Sequence, residues 1–482
     1  MKALKYIFLS TLLLTASSCG DNWLDLDPST SVETNQSLSK LKDFEFTLNG
    51  IYSSMQDAYS YSGRMTYYGD VTGDDIQAYS ATKRTGSYYL FKYNKDNAPS
   101  TFWRTSYAII RNCNIILTKI DEVKTEDTAY RDDLKGQALA LRALAMFDLT
   151  RLYGYPYLKD NGASWGPAII KTVSEIDSKP ARNTVAECYA EIISDLTSSV
   201  GLLSGKFNKG KINRWGAMTL LSRVYLYKGD HVNALRVAEE GISGAESSNY
   251  ALWSTEAYPT AWSNDFNAAA PGEVLFEIVN LSVDSPGKES MGYLCSSTGY
   301  KDMILTSSFV KLMLEDPADV RNKAYKIVSK RAYVNKYQPQ QNENDADANI
   351  PILRLSELYL NAAEAAVKSE DNNKAVHYLD AIVRRANPEN TVVGSEVTLE
   401  RVLTERRKEL FGEGHRLYDA MRNNLRIERI DEKVSVVSST KHLSMSDDCK
   451  SFDWNYYKII LPIPKFEMDT NPNMREQQNP GY

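Results

Sequence analysis

Histidine is scarce in this chain, with only four among 482 residues. His231, His377, His415 and His442 form no HExxH pair and none stands beside a nucleophile motif, so the sequence carries no zinc-peptidase signature. Cysteine is equally sparse. Apart from Cys19, the cysteines Cys113, Cys188, Cys295 and Cys449 lack any CxxC spacing, so the sequence offers no zinc site. Cys113 and Cys188 fall in helical patterns and are expected to be small buried residues. Long apolar runs are missing beyond the first turns of the chain, so nothing reads as a membrane-spanning helix. An excess of basic charge is missing too. The formal net charge is −6, which argues against nucleic acid as a partner.

What is present begins with a leader. Lys2 and Lys5 precede an apolar core from Tyr6 to Leu14, and small residues Ala16, Ser17 and Ser18 follow. About ten apolar residues are half of what a bilayer needs, so residues 1–18 read as a secretory signal outside the fold. Cys19 directly after that site suits lipoprotein processing, in which the thiol takes a diacylglycerol and becomes the new N-terminus. Acyl chains at roughly 0.8 kcal/mol per buried methylene would then hold a soluble body on a membrane. Without the two leader lysines the mature body has 54 basic and 62 acidic residues, a charge of −8. Tyrosine is abundant at 31 residues, which favours surfaces that bind flat apolar faces.

Helical periodicity dominates the rest. Trp103, Tyr107, Ile110, Leu117 and Ile120 recur at helical spacing, and "DDLKGQALALRALAMFDLTRLYGYP" is apolar nearly all round until Gly154 and Pro156 end it. A second hairpin opens with Thr184 and Glu187 as a capping box, and its partner segment breaks at Gly229 and Asp230. Leu221, Tyr225 and Ala234 match three signature positions of the 34-residue tetratricopeptide unit. A similar unit, "PILRLSELYLNAAEAAVKSEDNNKAVHYLDAIVRRA", has Ala362, Ala363 and Ala375 where two helices must approach. Two stretches depart from this pattern. Residues 66–100 and 246–350 are rich in aromatics, amides and acids and poor in helical periodicity, as functional loops often are. The expected fold is mainly α, with tetratricopeptide-like hairpins in an α-α superhelix supporting a loop-rich ligand-binding face with little β. The expected organisation is one domain over 19–482, divided into repeats at 19–245, a loop-rich insertion at 246–350 and a C-terminal repeat and tail at 351–482.

Candidate chemistry fails residue by residue. "GKFNKGKI" from Gly205 has phosphate-loop spacing up to Lys211 but puts Ile212 where a magnesium ligand is required. "DADANI" from Asp345 has Ile350 where a calcium loop requires glycine. Asp74 and Asp75 are adjacent on an aromatic loop, where neighbours seldom face each other as acid and base, so hydrogen bonding is the better reading. In "TLERVLTERRKELFGEGHRLYDAMR", Leu399, Val402, Leu403, Leu410 and Phe411 form an apolar stripe, and Glu405, Arg406, Arg407 and Glu409 are expected to pair locally along the helix.

That run also resembles the "ERRxEL…EGxRxxDLxR" signature of the SusD/RagB family of cell-surface nutrient-binding lipoproteins, with Glu405, Arg406, Arg407, Glu409, Leu410, Glu413, Gly414, Arg416, Asp419 and Arg422 at the matching positions. "CGDNWLDLDPST" resembles the family's lipidated start, "ILRLSELYLNAAEA" its alanine-rich helix, and "LPIPKFEMDTNPNMREQQNPGY" its closing segment. Departures are Ala420 for the usual Leu and Ser356 for Ala. The resemblance implies a non-catalytic lipoprotein with no cofactor and no metal, anchored through Cys19 to the outer membrane and facing the exterior. It would capture an oligosaccharide and deliver it to a SusC-like TonB-dependent transporter. The alternatives are a peptide-binding member of the same family and a tetratricopeptide-type interaction scaffold.

No ligand contact transfers from the family signatures, so candidates rest on physical grounds. A sugar presents an apolar C–H face and a rim of hydroxyls and needs exposed aromatic platforms flanked by amides and acids. Tyr67, Tyr68, Asp74, Asp75, Tyr88 and Tyr89 from the first loop region, and Trp262, Asn264, Tyr293 and Tyr300 from the second, supply that mixture. Trp103 and Trp215 are set aside because they fall on helical core stripes.

Overall fold

The computed structural model describes residues 38–175, 177–263, 271–339, 344–438 and 441–482. Cys19, the leader and Asn264 lie outside the described residues.

Helices α1 (Leu41–Met55) and α2 (Arg64–Val71) lead into strand β1 (Ile76–Ala78) and the short α3 (Gly86–Tyr89). The expected hairpin follows as α4 (Ser100–Lys119) and α5 (Thr128–Tyr153), the latter capped by the Asp127 carboxylate accepting from the Tyr130 N–H at 3.0 Å. From Leu134 to Tyr153 every residue of α5 except Lys135 and Arg151 is buried, which explains its apolar surface on all sides. Arg142 is tolerated there because Asp195 of α6 (Val185–Leu202) takes it bidentately at 2.7 Å. The capping box of α6 forms as the sequence predicts, with Thr184 and Glu187 exchanging hydrogen bonds. Helices α7 (Arg214–Lys228) and α8 (His231–Ser247) are separated by Gly229, whose φ of +82° is a left-handed turn suited to glycine, and by Asp230, which caps Asn233.

After α8 come β2 (Val274–Ile278), α9 (Met291–Cys295), β3 (Met303–Leu305), α10 (Ser307–Met313) and the hairpin β4 (Tyr325–Val328) with β5 (Arg331–Val334). Strand β6 (Ile350–Arg354) then leads directly into α11 (Leu355–Lys368), followed by α12 (Asn372–Ala386), α13 (Leu399–Leu410) and α14 (Arg416–Arg422). Two expectations are corrected here. "PILR" is strand rather than helix, because β6 pairs antiparallel with β2, and Pro351 sits within it opposite Glu277. The two loop-rich stretches carry several short elements whose partners are distant, so their periodicity is too brief to read locally.

Despite the intervening hundred residues, the stack is continuous: α4, α5, α6, α7 and α8 pack in succession, and α8 packs on α11, which packs on α12. Close approach is needed at that junction, where a Cβ on Gly241 would lie 2.9 Å from the Leu358 side chain. Cys113, Cys188, Cys295 and Cys449 are all free and buried, as expected for the first two. The closing segment enters the same core. The Leu461 N–H donates to Leu152 O at 2.7 Å, and the Asn479 amide donates to Tyr153 O and Leu461 O at 2.8 and 2.7 Å. Arg182, buried between them, donates to Tyr153 O, Gly166 O and the Asn479 side chain, each at 2.8 Å. Among the described residues no helix is long and apolar enough to cross a membrane.

Candidate functional site

Most of the sequence-derived candidates lie inside the molecule, which corrects the expectation that they form exposed platforms. Tyr67, Tyr68, Tyr88 and Tyr89 are buried. Tyr88 packs against Tyr67, Tyr68 and Phe102, and the Tyr68 and Tyr93 hydroxyls meet at 3.2 Å. Tyr89 stacks on His442 with Arg429 4.0 Å over its ring. Trp262 is likewise interior, packed on Trp253 and Tyr258 with the cations of Lys336 and Arg354 4.8 and 5.0 Å from its ring.

Asp74 and Asp75 are buried anchors. Arg416 clamps Asp74 through two nitrogens, one at 3.0 Å, and Arg407 holds Asp75 with its Nε at 3.2 Å. Burial would raise the Asp74 carboxyl, but Arg416 and Arg407 outweigh it and hold it below the usual carboxylate range. Arg406 and Arg407 therefore do not pair along their own helix, as the sequence suggested. Arg406 reaches Asp419 and Asn361 at 2.7 Å, and Glu409 sits between Arg354 at 3.0 Å and Arg385 at 2.6 Å. Glu405 bonds Arg321 at 2.7 Å and keeps only one local pair, with Arg401. The signature run is a buried ionic clamp joining α13 and α14 to elements hundreds of residues earlier.

Tyr293 and Tyr300 behave differently. Both are half-buried, and their rings meet edge to face at 5.0 Å and 88°. The local chain dictates this: the Tyr300 N–H donates to Tyr293 O at 2.9 Å, and a Cβ on the intervening Gly299 would lie 2.1 Å from that carbonyl. Three loops converge on the pair. Strands β1 and β3 pair antiparallel, Ile76 opposite Leu305, so that the Tyr79 N–H and Thr85 hydroxyl donate to Asp302 O at 2.9 and 2.8 Å. The Met291 N–H donates to Ser62 O at 2.7 Å, which brings in the turn before α2. Arg84 lies 4.3 Å over Tyr300 and donates two hydrogen bonds to Glu289, at 2.7 and 2.5 Å. Beside it Arg64 lies 3.9 Å over the exposed Tyr59. Beneath, the fully buried Asp302 carboxylate has Lys83 and Arg84 each at 3.6 Å and accepts no hydrogen bond. Burial raises its pKa against the pull of Arg84 and Lys83.

This surface offers aromatic rings, a bidentate arginine–glutamate pair and free cations, the groups that contact a polyhydroxylated ring. Of its carboxylates, Glu289 is tied to Arg84, Asp302 is sunk under it, and Asp345 accepts the hydroxyls of Ser296 and Thr298. Among the described residues no three His, Cys, Asp or Glu side chains gather as a metal site. Of the residues singled out in the sequence, Tyr293 and Tyr300 lie on this surface, while Tyr59, Arg64, Arg84 and Glu289 were not among them. The signal available for Arg84 was a Lys-Arg pair in the middle of an aromatic loop.

Comparison with known proteins agrees with the helical frame. Residues 305–482 match the model of the SusD family, and residues 22–226 match one described as starch-binding associating with outer membrane. A crystal structure from Bacteroides vulgatus ATCC 8482 is 63% identical with a TM-score of 0.90, over 92% of this chain and 99% of that one. A SusD superfamily protein from the same organism is 36% identical with a TM-score of 0.86, over 92% and 100%. SusD-like protein P38 of Formosa agariphila is 22% identical across 89% of this chain and 93% of its own length. The chain belongs to the SusD family.

Proposed function

We propose that this protein is a non-catalytic glycan-binding lipoprotein of the outer membrane, anchored through Cys19 and facing the exterior, which captures an oligosaccharide and hands it to a SusC-like TonB-dependent transporter. The observation that carries the reading is the half-buried Tyr293–Tyr300 pair with the Arg84–Glu289 fork beside it. Rings supply the apolar contact for a pyranose face, and the fork orients hydroxyls. Family membership and the starch-binding description of the matching N-terminal model support the same class. A transporter in the same membrane would meet the tethered body at high effective concentration, so a modest docking interface suffices.

The test is affinity electrophoresis of the soluble form lacking residues 1–19 through gels containing single polysaccharides, with peptides as competitors. Retardation by a glycan that is lost in Tyr300→Ala and Tyr293→Ala supports the reading. Migration unchanged by every glycan, or retardation abolished by peptide, refutes it.

A further inference from the structure

The face around Tyr293 and Tyr300 carries several cations that no carboxylate on it pairs. Its three loops, residues 57–64, 79–89 and 288–302, contain Arg64, Lys83, Arg84, Lys288 and Lys301 against Asp57, Glu289 and Asp302, and the adjoining turn at 345–347 adds Asp345 and Asp347. The cations are placed on the rings. Arg64 lies 3.9 Å over Tyr59, Arg84 4.3 Å over Tyr300 and Lys288 5.7 Å from the ring centre of Tyr293, while at the margin Arg331 lies 4.9 Å over Tyr79.

Only part of this charge is compensated. Glu289 is committed to Arg84, and Asp302 lies below Lys83 and Arg84 with no exposed surface. Asp57 accepts the Tyr59 N–H at 2.7 Å within its own turn, Asp345 accepts the hydroxyls of Ser296 and Thr298, the latter at 2.7 Å, and Asp347 accepts the Ser285 hydroxyl at 2.9 Å and the Asn344 amide at 2.6 Å. Arg64, Lys288, Lys301 and Arg331 take part in no ion pair among the described residues. A neutral sugar uses bare ring faces and gains little from unpaired cations. A carboxylate or sulfate on the sugar turns each of them into a charge-assisted hydrogen bond, about twice as strong as a neutral one.

We propose that this face selects an anionic saccharide, one bearing uronate or sulfate groups, with its ring against the Tyr293–Tyr300 pair and its acid groups meeting Arg64 and Lys288. The proposal rests on the reading of this face as the glycan site and names the ligand class.

Matched polymers test it: polygalacturonate against its methyl ester for the uronate, and dextran sulfate against dextran for the sulfate. The soluble form lacking residues 1–19 should be retarded by the charged member of at least one pair and not by its neutral partner. Arg64→Ala and Lys288→Ala should each weaken that binding by about tenfold, as loss of one charged contact predicts. The same binding should fall with added salt, and Lys374→Ala, on α12 and paired with Glu239, should leave it unchanged. Equal retardation by neutral and charged polymers overturns the anionic selection while leaving the glycan reading intact. Equal weakening by Lys374→Ala overturns it as non-specific attraction. Absence of retardation by both charged polymers overturns the anionic selection, and the glycan reading falls with it only if every polysaccharide of the first set of gels also fails to retard the protein.

Discussion

Replacing Arg354 by methionine keeps most of the side-chain volume and removes one charge from the centre of the clamp. Arg354 is 1% exposed and donates to Glu413 through two nitrogens at 2.8 Å and to Glu409 at 3.0 Å, with Glu273 at 2.5 Å. The three carboxylates are not left bare by its loss. Arg385 still holds Glu273 at 2.9 Å and Glu409 at 2.6 Å, and Lys336 still holds Glu413 at 2.6 Å. The excess negative charge that remains is nevertheless dry, and breaking such a buried pair costs about 3–5 kcal/mol. With roughly 450 folded residues and about 2.1 cal/mol/K each, unfolding entropy near the midpoint is on the order of 0.9 kcal/mol/K, so the Tm falls by only about 3–5 °C. Urea denaturation read by tryptophan fluorescence is therefore the sharper assay. Arg354→Lys keeps the charge but not the fork and should fall between the variant and the native protein. A stability loss below about 1 kcal/mol for Arg354→Met would refute the reasoning, because it would mean that these carboxylates are solvated.

Three other outcomes follow from named contacts. Burial pushes the Asp70 carboxyl up to about 7, against N–H bonds from Gly414 and Arg416. A raised carboxyl binds its proton more tightly in the folded state, so its contribution is full below about pH 4 and is lost as pH rises through 7, a fall of about 2 kcal/mol between pH 5.5 and 8. Asp70→Asn should flatten the urea-midpoint profile over that range, and parallel profiles would show that the group does not titrate there. Gly414 has φ +83° and a Cβ there would lie 2.4 Å from Thr66 O, so Gly414→Ala should cost about 2 kcal/mol or more in the same assay. In the form lacking residues 1–19, a thiol reagent should find no reactive cysteine until denaturant is added and then find four, since all are buried and free.

The helical hairpins were legible because a buried helix writes its 3.6-residue period into a continuous stretch, as in α5 and α6, with caps at Thr184 and Asp230 marking the ends. The clamp was not. Arg407 and Asp75 are 332 positions apart, and nothing local to "TERRKEL" says that its charges point into the core rather than along the helix. The aromatic loop misled for a related reason. Tyr67, Tyr68, Tyr88 and Tyr89 lie among glycines, acids and serines, a composition that suits a surface, yet their rings are covered by one another, by Phe102 of α4 and, from a distant segment, by His442. Of the candidate site, the tyrosine pair close in sequence was readable, and the cations that cover those rings were supplied by folding.

The closing segment has a consequence for the order of events during synthesis. Arg182 and the end of α5 find their partners in residues 477–479, almost 300 positions later. A ribosome that has finished the first hairpins therefore holds a chain in which Arg182 has the carbonyls of Tyr153, Trp165 and Gly166 but not its later partners, and whose helix end lacks its cover. Contacts of such separation form slowly. Until residues 477–479 are in place the end of α5 lacks its cover, and a chain cut before residue 477 loses the strap that ties Arg182 and Tyr153.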